Sequence, residues 1–132
     1  MFQTPLDLRA TDEPGLWRVI APLVWEDAEL GQLVVPAGTI TDLASIPVRL
    51  RGFGAFGWYP FDPNGESRRP AVLHDWLYAD GTRGKDFADR ALRAALLAEG
   101  VSRGTANAFY YAVKWFGGSA WKGHRRRAGA PA

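Results

Sequence analysis

The residue pattern of this chain changes near residue 65, and that change limits the fold more than any other sequence feature. In the first part, β-forming and turn residues predominate. They include a candidate strand over residues 17–25, broken at Pro22, and a return strand over 32–35. Residues 39–41 have the composition of a third short strand. In the second part, apolar residues recur at helical spacing. The sequence therefore predicts an α+β fold, with a small antiparallel sheet in the N-terminal half followed by three helices.

Start and stop signals locate the three expected helices. Pro70 suits a first helical turn, and the helix that it opens runs to about residue 79. A second helix is predicted over residues 87–99, because its apolar residues form one stripe and a glycine follows it. Ser102 is a typical N-cap, so a third helix follows it and ends at Phe116, before two glycines.

Length and charge favour one domain without a general affinity for nucleic acid. The 132 residues suit a single domain, predicted over residues 1–121, with a basic flexible tail over 122–132. The tail holds four of the 16 Lys and Arg residues. The rest of the chain contains the other 12, together with all 14 Asp and Glu residues. A domain with this charge balance has no net positive charge to attract nucleic acid, so we expect no sequence-specific nucleic-acid partner.

Several classes of protein and site are excluded by what the sequence lacks. Without cysteine there is no disulfide framework, no thiolate zinc site and no cysteine nucleophile. No run of about 18 apolar residues predicts a transmembrane helix. The first residues lack the basic and apolar regions of a secretory signal peptide, so none is expected.

The strongest chemical signal lies in the first predicted helix. His74 and Tyr78 are four residues apart and share a helix face, and Asp75 is the next residue after His74. If the first two helices pack antiparallel, Asp89 comes near His74. A carboxylate on one ring nitrogen fixes the histidine tautomer and leaves the other nitrogen as a base, while Asp75 binds a cation or a water. The alternative is that His74 is a structural hydrogen-bond anchor between helices.

Two further groups of residues precede this helix. Asp42 and Ser45 are polar residues in an apolar segment, where they either line a cleft facing His74 or stabilise a turn. Residues 51–67 form an aromatic, glycine-rich stretch that contains Gly54 and Gly57. It lacks the Lys-Ser/Thr ending of a phosphate-binding loop, so we expect its carbonyl groups to suit a cation instead.

Several stretches together resemble an uncharacterised family that is common in tailed phages and prophages, the domain-of-unknown-function family numbered 1353. They are residues 35–47, 71–78, 88–90 and 115–121, in that order. The resemblance spans residues 20–121. It implies a phage or prophage context, with the protein in the virion or in the host cytoplasm, and it brings no settled activity.

A more distant similarity bears on mechanism. The pattern His-Asp-x-x-Tyr at residues 74–78, followed by Asp89, is similar to the active site of phospholipases A2. The similarity implies that His74 is the general base for a water, with Tyr78 and Asp89 orienting it. It also implies that Asp75 binds Ca²⁺ together with carbonyl groups of an upstream glycine loop, here at Gly54 and Gly57.

These observations leave two main hypotheses. The first is a phage-derived, metal-assisted hydrolase acting on the bacterial envelope, with ester lipid ahead of peptidoglycan and peripheral membrane contact. Its metal is Ca²⁺, with Zn²⁺ as the runner-up through residues chosen from His74, Asp75, Asp42 and Asp89. The second is a non-enzymatic virion component of the tail, baseplate or neck that binds other virion proteins. Its interface anchors would be the aromatic residues of 53–61 with Trp115, Phe116 and Trp121. A small inhibitor of a host protein is a third class.

Overall fold

The computed structural model describes residues 1–43 and 68–127, and it confirms the α+β class. Five short strands precede four helices. The strands are β1 (Leu8–Ala10), β2 (Trp17–Val19), β3 (Leu23–Asp27), β4 (Gly31–Val35) and β5 (Ile40–Thr41). The helices are α1 (Arg68–Asp80), α2 (Lys85–Ala98), α3 (Arg103–Phe116) and α4 (Gly118–Arg127).

The strands form two small antiparallel sheets rather than the one that was predicted. One sheet has the order β1-β2-β5, and the other is the β3-β4 hairpin, in register from Leu23 opposite Val35 to Asp27 opposite Gly31. The predicted strand over 17–25 is therefore two strands in different sheets, separated by residues 20–22 with Pro22 among them. Strand β1 was missed because it has three residues, of which one is partly buried and two are exposed, and so short a segment shows no alternation.

The first three helices lie close to their predicted positions. Helix α1 begins two residues before Pro70, and α2 begins at Lys85. The Ser102 side chain accepts a hydrogen bond from the Thr105 backbone N–H at 3.3 Å, as expected of an N-cap.

Helix α4 corrects the prediction of a flexible tail from residue 122, because residues 118–127 are helical. Helix α4 is stabilised by contacts with residues distant in the sequence, which the local sequence pattern does not predict. The Arg125 guanidinium donates hydrogen bonds to the carbonyl oxygens of Tyr78 and Ala79, the latter at 2.8 Å. It also lies 4.8 Å from the centre of the Trp121 ring. Arg125 thus satisfies carbonyl groups at the C-terminus of α1, whose last turn has no basic residue of its own.

The main core places α1 at the centre of the fold. Trp25, Leu33 and Val35 of the hairpin are at most 1% exposed and pack in one cluster with α1. The α1 residues buried in that cluster are Val72, Leu73, Leu77 and Tyr78, and α2 contributes Ala88, Ala91 and Ala95. A second cluster joins α2 to α3. His74 and Tyr78 of α1 are therefore buried among the other elements, whereas Arg68 and Asp80 at its two ends are exposed. None of the helices described is long and apolar enough to cross a membrane.

The junction between α3 and α4 gives a test of this packing. A Cβ added at Gly117 would overlap the Val113 carbonyl oxygen and lie 2.9 Å from the Tyr78 hydroxyl oxygen. We expect Gly117→Ala to lower the free energy of unfolding by about 1–3 kcal/mol, as overpacking does. Denaturant unfolding would measure it.

The neighbouring glycine is a matched control. No heavy atom lies within 4 Å of a Cβ added at Gly118, and this residue is helical. Gly118→Ala should leave stability unchanged or raise it by up to about 1 kcal/mol. Equal destabilisation by the two substitutions would contradict the close packing assigned to Gly117.

Candidate functional site

The centre of the candidate site is the buried carboxylate of Asp89. His74 Nε2 lies 2.8 Å from Asp89 Oδ1, and the Tyr78 hydroxyl donates a hydrogen bond to the same oxygen at 2.7 Å. The predicted contact between His74 and Asp89 is therefore confirmed. It depends on a sharp turn between α1 and α2, in which Gly81 and Gly84 adopt φ values of 73° and 88°.

The second oxygen of Asp89 is bound by Lys85, a residue that the sequence analysis missed as part of the site. Lys85 Nζ lies 2.8 Å from Asp89 Oδ2, and it also donates hydrogen bonds to the carbonyl oxygens of Val113 at 2.9 Å and Lys114 at 3.3 Å. The i,i+4 spacing of Lys85 and Asp89 on α2 was a signal in the sequence. The carbonyl groups from the C-terminus of α3 were not.

The electrostatics of this cluster set its protonation state. Burial lowers the pKa of His74 below 6.5, and the positive charge of Lys85 lowers it further against the effect of Asp89. Burial alone would raise the pKa of the Asp89 carboxyl, but hydrogen bonds from His74, Lys85 and Tyr78 hold it below its usual value. Burial raises the pKa of the Tyr78 hydroxyl, and the Asp89 charge adds to that rise. At neutral pH the cluster therefore holds a neutral imidazole, a carboxylate, a phenol and an ammonium group.

This protonation state fixes the tautomer of His74. Because Asp89 is ionised, His74 Nε2 carries the proton and donates it to Oδ1, so Nδ1 is the unprotonated nitrogen. No hydrogen bond to Nδ1 comes from residues 1–43 or 68–127. The imidazole is 3% exposed. The arrangement can accept a proton at Nδ1 and stabilise the resulting imidazolium through Asp89.

Asp75 belongs to a different environment from its neighbour His74. The Thr41 hydroxyl donates a hydrogen bond to Asp75 Oδ2 at 2.7 Å, and the Asp42 backbone N–H donates to the same oxygen at 3.3 Å. Burial raises the pKa of Asp75 to about 7, and the nearby negative charge of Asp42 adds to the rise. The structure thus places Asp42 beside Asp75, at the end of β5, as one pair of carboxyl groups.

The remaining predicted site residues lie outside the described part of the chain. They are Ser45, Gly54 and Gly57, together with the aromatic residues of 53–61. Among the described residues, no group of three or more His, Asp or Glu side chains is arranged to hold a metal ion. Two clefts of about 440 and 510 Å³ are lined by other residues, with neither His74 nor Asp75 among them.

Comparison with known proteins gives the chain a family. The family model described as a protein of unknown function, DUF1353, matches residues 17–113. The chain belongs to the DUF1353 family. The match covers strands β2 to β5, helices α1 and α2 and most of α3, and so includes His74, Asp75 and Asp89. No curated protein and no solved structure matches the chain.

Lys85 provides a test of the electrostatics in this DUF1353 protein. Since its charge lowers the pKa of His74, we expect Lys85→Met to raise that pKa. The pH titration of the imidazole proton resonances by NMR would measure the change. In the wild-type protein, the unfolded chain protonates first as the pH falls below about 6.5, so His74 makes the free energy of unfolding decrease with falling pH.

Lys122→Met is the matched control for this titration. It removes the same charge from an exposed position on α4. We expect the pKa of His74 to stay at its wild-type value in Lys122→Met. An equal shift in both variants, or no shift in Lys85→Met, would contradict the role assigned to Lys85.

Proposed function

We propose that this protein is a metal-assisted hydrolase in which His74 is the general base. The observation that carries the proposal is the hydrogen bond between His74 Nε2 and Asp89 Oδ1, with Tyr78 and Lys85 on the same carboxylate. An oriented neutral histidine with an acceptor nitrogen at neutral pH is what removal of a proton from water requires. The similarity of these residues to the phospholipase A2 pattern supports the same assignment.

The proposed reaction is the hydrolysis of a carboxylic ester, with a phospholipid ahead of a peptidoglycan component as substrate. His74 Nδ1 takes a proton from a water molecule, and the water oxygen forms a bond to the ester carbonyl carbon. Asp89 stabilises the imidazolium while Tyr78 and Lys85 hold Asp89 in place. The ester C–O bond then breaks, and the imidazolium returns its proton to the leaving oxygen. Water and ester are consumed, and an acid and an alcohol are formed.

The cation in this proposal is Ca²⁺, held by Asp75 with Asp42 beside it. Their oxygen atoms are hard ligands, and the ionised Asp75 carboxylate, whose pKa is raised by burial and by the nearby charge of Asp42, gains stability from a positive charge. Zn²⁺ is the runner-up, because His74 Nδ1 is the one nitrogen donor that the proposed site residues offer it. The resemblance to phospholipases A2 implies that carbonyl groups of Gly54 and Gly57, which lie outside the described residues, would complete the ligand set. The bound cation would stabilise negative charge on the ester carbonyl oxygen.

The biological setting belongs to the same proposal. The resemblance to a family of phages and prophages supports a phage-derived enzyme, acting from the virion or from the host cytoplasm on the bacterial envelope. The proposed setting rests on that resemblance.

A virion component is the second candidate, and one observation favours it. Trp115 is 65% exposed and Tyr111 is 42% exposed on α3, as interface anchors are before a partner binds. The other two helical residues proposed as interface anchors, Phe116 and Trp121, are less exposed than Trp115. Trp121 is partly buried, with its ring centre 5.2 Å from that of Tyr78, so it is an internal contact, and Phe116 is half-buried. No described feature favours an inhibitor of a host protein.

Hydrolysis of ester phospholipid vesicles in the presence of Ca²⁺ tests the first candidate. We expect His74→Gln to reduce kcat by about 10²–10⁴-fold, the usual contribution of a general base. Tyr78→Phe should reduce kcat less, because it removes one of three donors to Asp89. Release of fatty acid would be measured, with circular dichroism to show that each variant folds.

Tyr110→Phe is the control, since Tyr110 has no contact with Asp89 among the described hydrogen bonds. It should keep wild-type activity. If the wild-type protein hydrolyses neither phospholipid nor peptidoglycan, or if His74→Gln retains full activity, the proposed function is wrong.

Thermal unfolding with and without Ca²⁺ tests the proposed cation. A ligand at 100 times its Kd adds about 2.7 kcal/mol of stability, which raises Tm by about 10 °C in a domain of this size. We expect that rise in the wild-type protein and its loss in Asp75→Asn. Asp86→Asn is the control, because Asp86 has a 73% exposed side chain on α2. A rise that persists in Asp75→Asn would contradict the assignment of this ligand.

A further inference from the structure

The C-terminal part of the chain has an uncompensated positive charge. After Glu99 the sequence contains six Lys and Arg residues and no Asp or Glu, whereas residues 1–99 contain 10 and 14. Five of the six have described side chains, and none of these forms a salt bridge within the described part of the chain. These five are Arg103, Lys114, Lys122, Arg125 and Arg126.

Exposed aromatic side chains accompany this charge on α3. Tyr111 and Trp115 are four residues apart, so they lie on one helix face, with ring centres 5.1 Å apart. Trp115 is the most exposed aromatic residue in the described part of the chain, at 65%. Lys114 Nζ lies 5.7 and 5.9 Å from the ring centres of Tyr110 and Tyr111. The aromatic and cationic groups at the end of α3 therefore form one patch.

Helix α4 adds a second basic face. Trp121 and Arg125 face inward and pack against the C-terminal end of α1. Lys122 and Arg126 are each one residue further along, are exposed and share a helix face. We use the term α3–α4 surface for the five exposed residues Tyr111, Lys114, Trp115, Lys122 and Arg126.

We propose that the α3–α4 surface docks on an anionic phospholipid bilayer. Trp and Tyr side chains are favoured at the level of lipid headgroups, and they need no preformed groove there. Lys and Arg residues near such a surface are attracted to its negative potential, and the sequence after Glu99 contains no Asp or Glu residue. Asp27 and Glu29 line one cleft together with Tyr111, so they are acidic residues on the side of Tyr111. The exposed Trp115 and Tyr111 favour a lipid surface over a nucleic acid, since their rings contact each other on a helix face instead of lining a channel.

The position of this surface relates it to the candidate site. Lys85 binds Asp89 and the carbonyl oxygens of Val113 and Lys114, so the end of α3 is joined to the site by one side chain. Docking would therefore hold the His74 site close to the bilayer. The inference deepens the proposed function by naming the surface that contacts the membrane, and it rests on that function for the substrate alone, because membrane binding itself requires no hydrolysis.

Cosedimentation with vesicles of diether phospholipids tests the inference without any ester to hydrolyse. We expect binding to vesicles that contain phosphatidylglycerol and much weaker binding to pure phosphatidylcholine. Lys122→Gln with Arg126→Gln should weaken binding about 25-fold, at about fivefold for each charge. Trp115→Ala should weaken it severalfold. Added salt should also weaken binding.

Matched control residues are available in the N-terminal strands β1 and β2. Arg9→Gln with Arg18→Gln removes two exposed charges from β1 and β2, and Trp17→Ala removes a 36% exposed tryptophan. Both variants should bind anionic vesicles as the wild-type protein does. The inference is overturned by equal binding to both vesicle types, by no binding, or by equal effects of control and test variants. Tighter binding to a DNA fragment, lost in the same test variants, would also overturn it.

Discussion

The buried carboxylate of Asp89 joins α1 to α2 through its hydrogen bonds, and its partner Lys85 extends the contact to α3. An ionised carboxylate that is 2% exposed is stable only when its oxygen atoms are bound by donors. His74 and Tyr78 supply these donors from α1, and Lys85 supplies one from α2 while it also binds the end of α3. One carboxylate therefore fixes the arrangement of three helices and orients the histidine. The same contacts can serve packing and chemistry.

Tyr78 connects this cluster to the last helix. Its hydroxyl binds Asp89, its ring packs edge-on against Trp121, and Gly117 leaves no room for a larger residue beside it. Arg125 completes the contact by binding carbonyl groups at the end of α1. Helix α4 is thus a structural support of the site as well as a carrier of exposed positive charge.

Two neighbouring residues of α1 have opposite electrostatic environments. His74 faces a cluster in which charges of both signs are paired, and Asp75 faces Thr41 and a second carboxyl group. This separation divides the two tasks of the proposed hydrolase. A paired, neutral histidine suits proton transfer, and two adjacent carboxyl groups suit a hard cation.

The sequence predicts the class of fold and the first three helices, and it predicts that Asp89 comes near His74 if the first two helices pack antiparallel. These depend on local signals, such as Pro70, the Ser102 cap and the i,i+4 spacing of His74 and Tyr78, together with a short turn that makes α1 and α2 antiparallel. The tertiary structure decided that residues 17–25 divide between two sheets and that residues 118–127 are helical. It also placed Lys85 between Asp89 and α3, and Asp42 beside Asp75. The contacts of Asp42 with Asp75, of Lys85 with α3 and of Arg125 with α1 join residues 28 to 46 positions apart, and a spacing pattern contains no information about a partner that only the folded chain brings near.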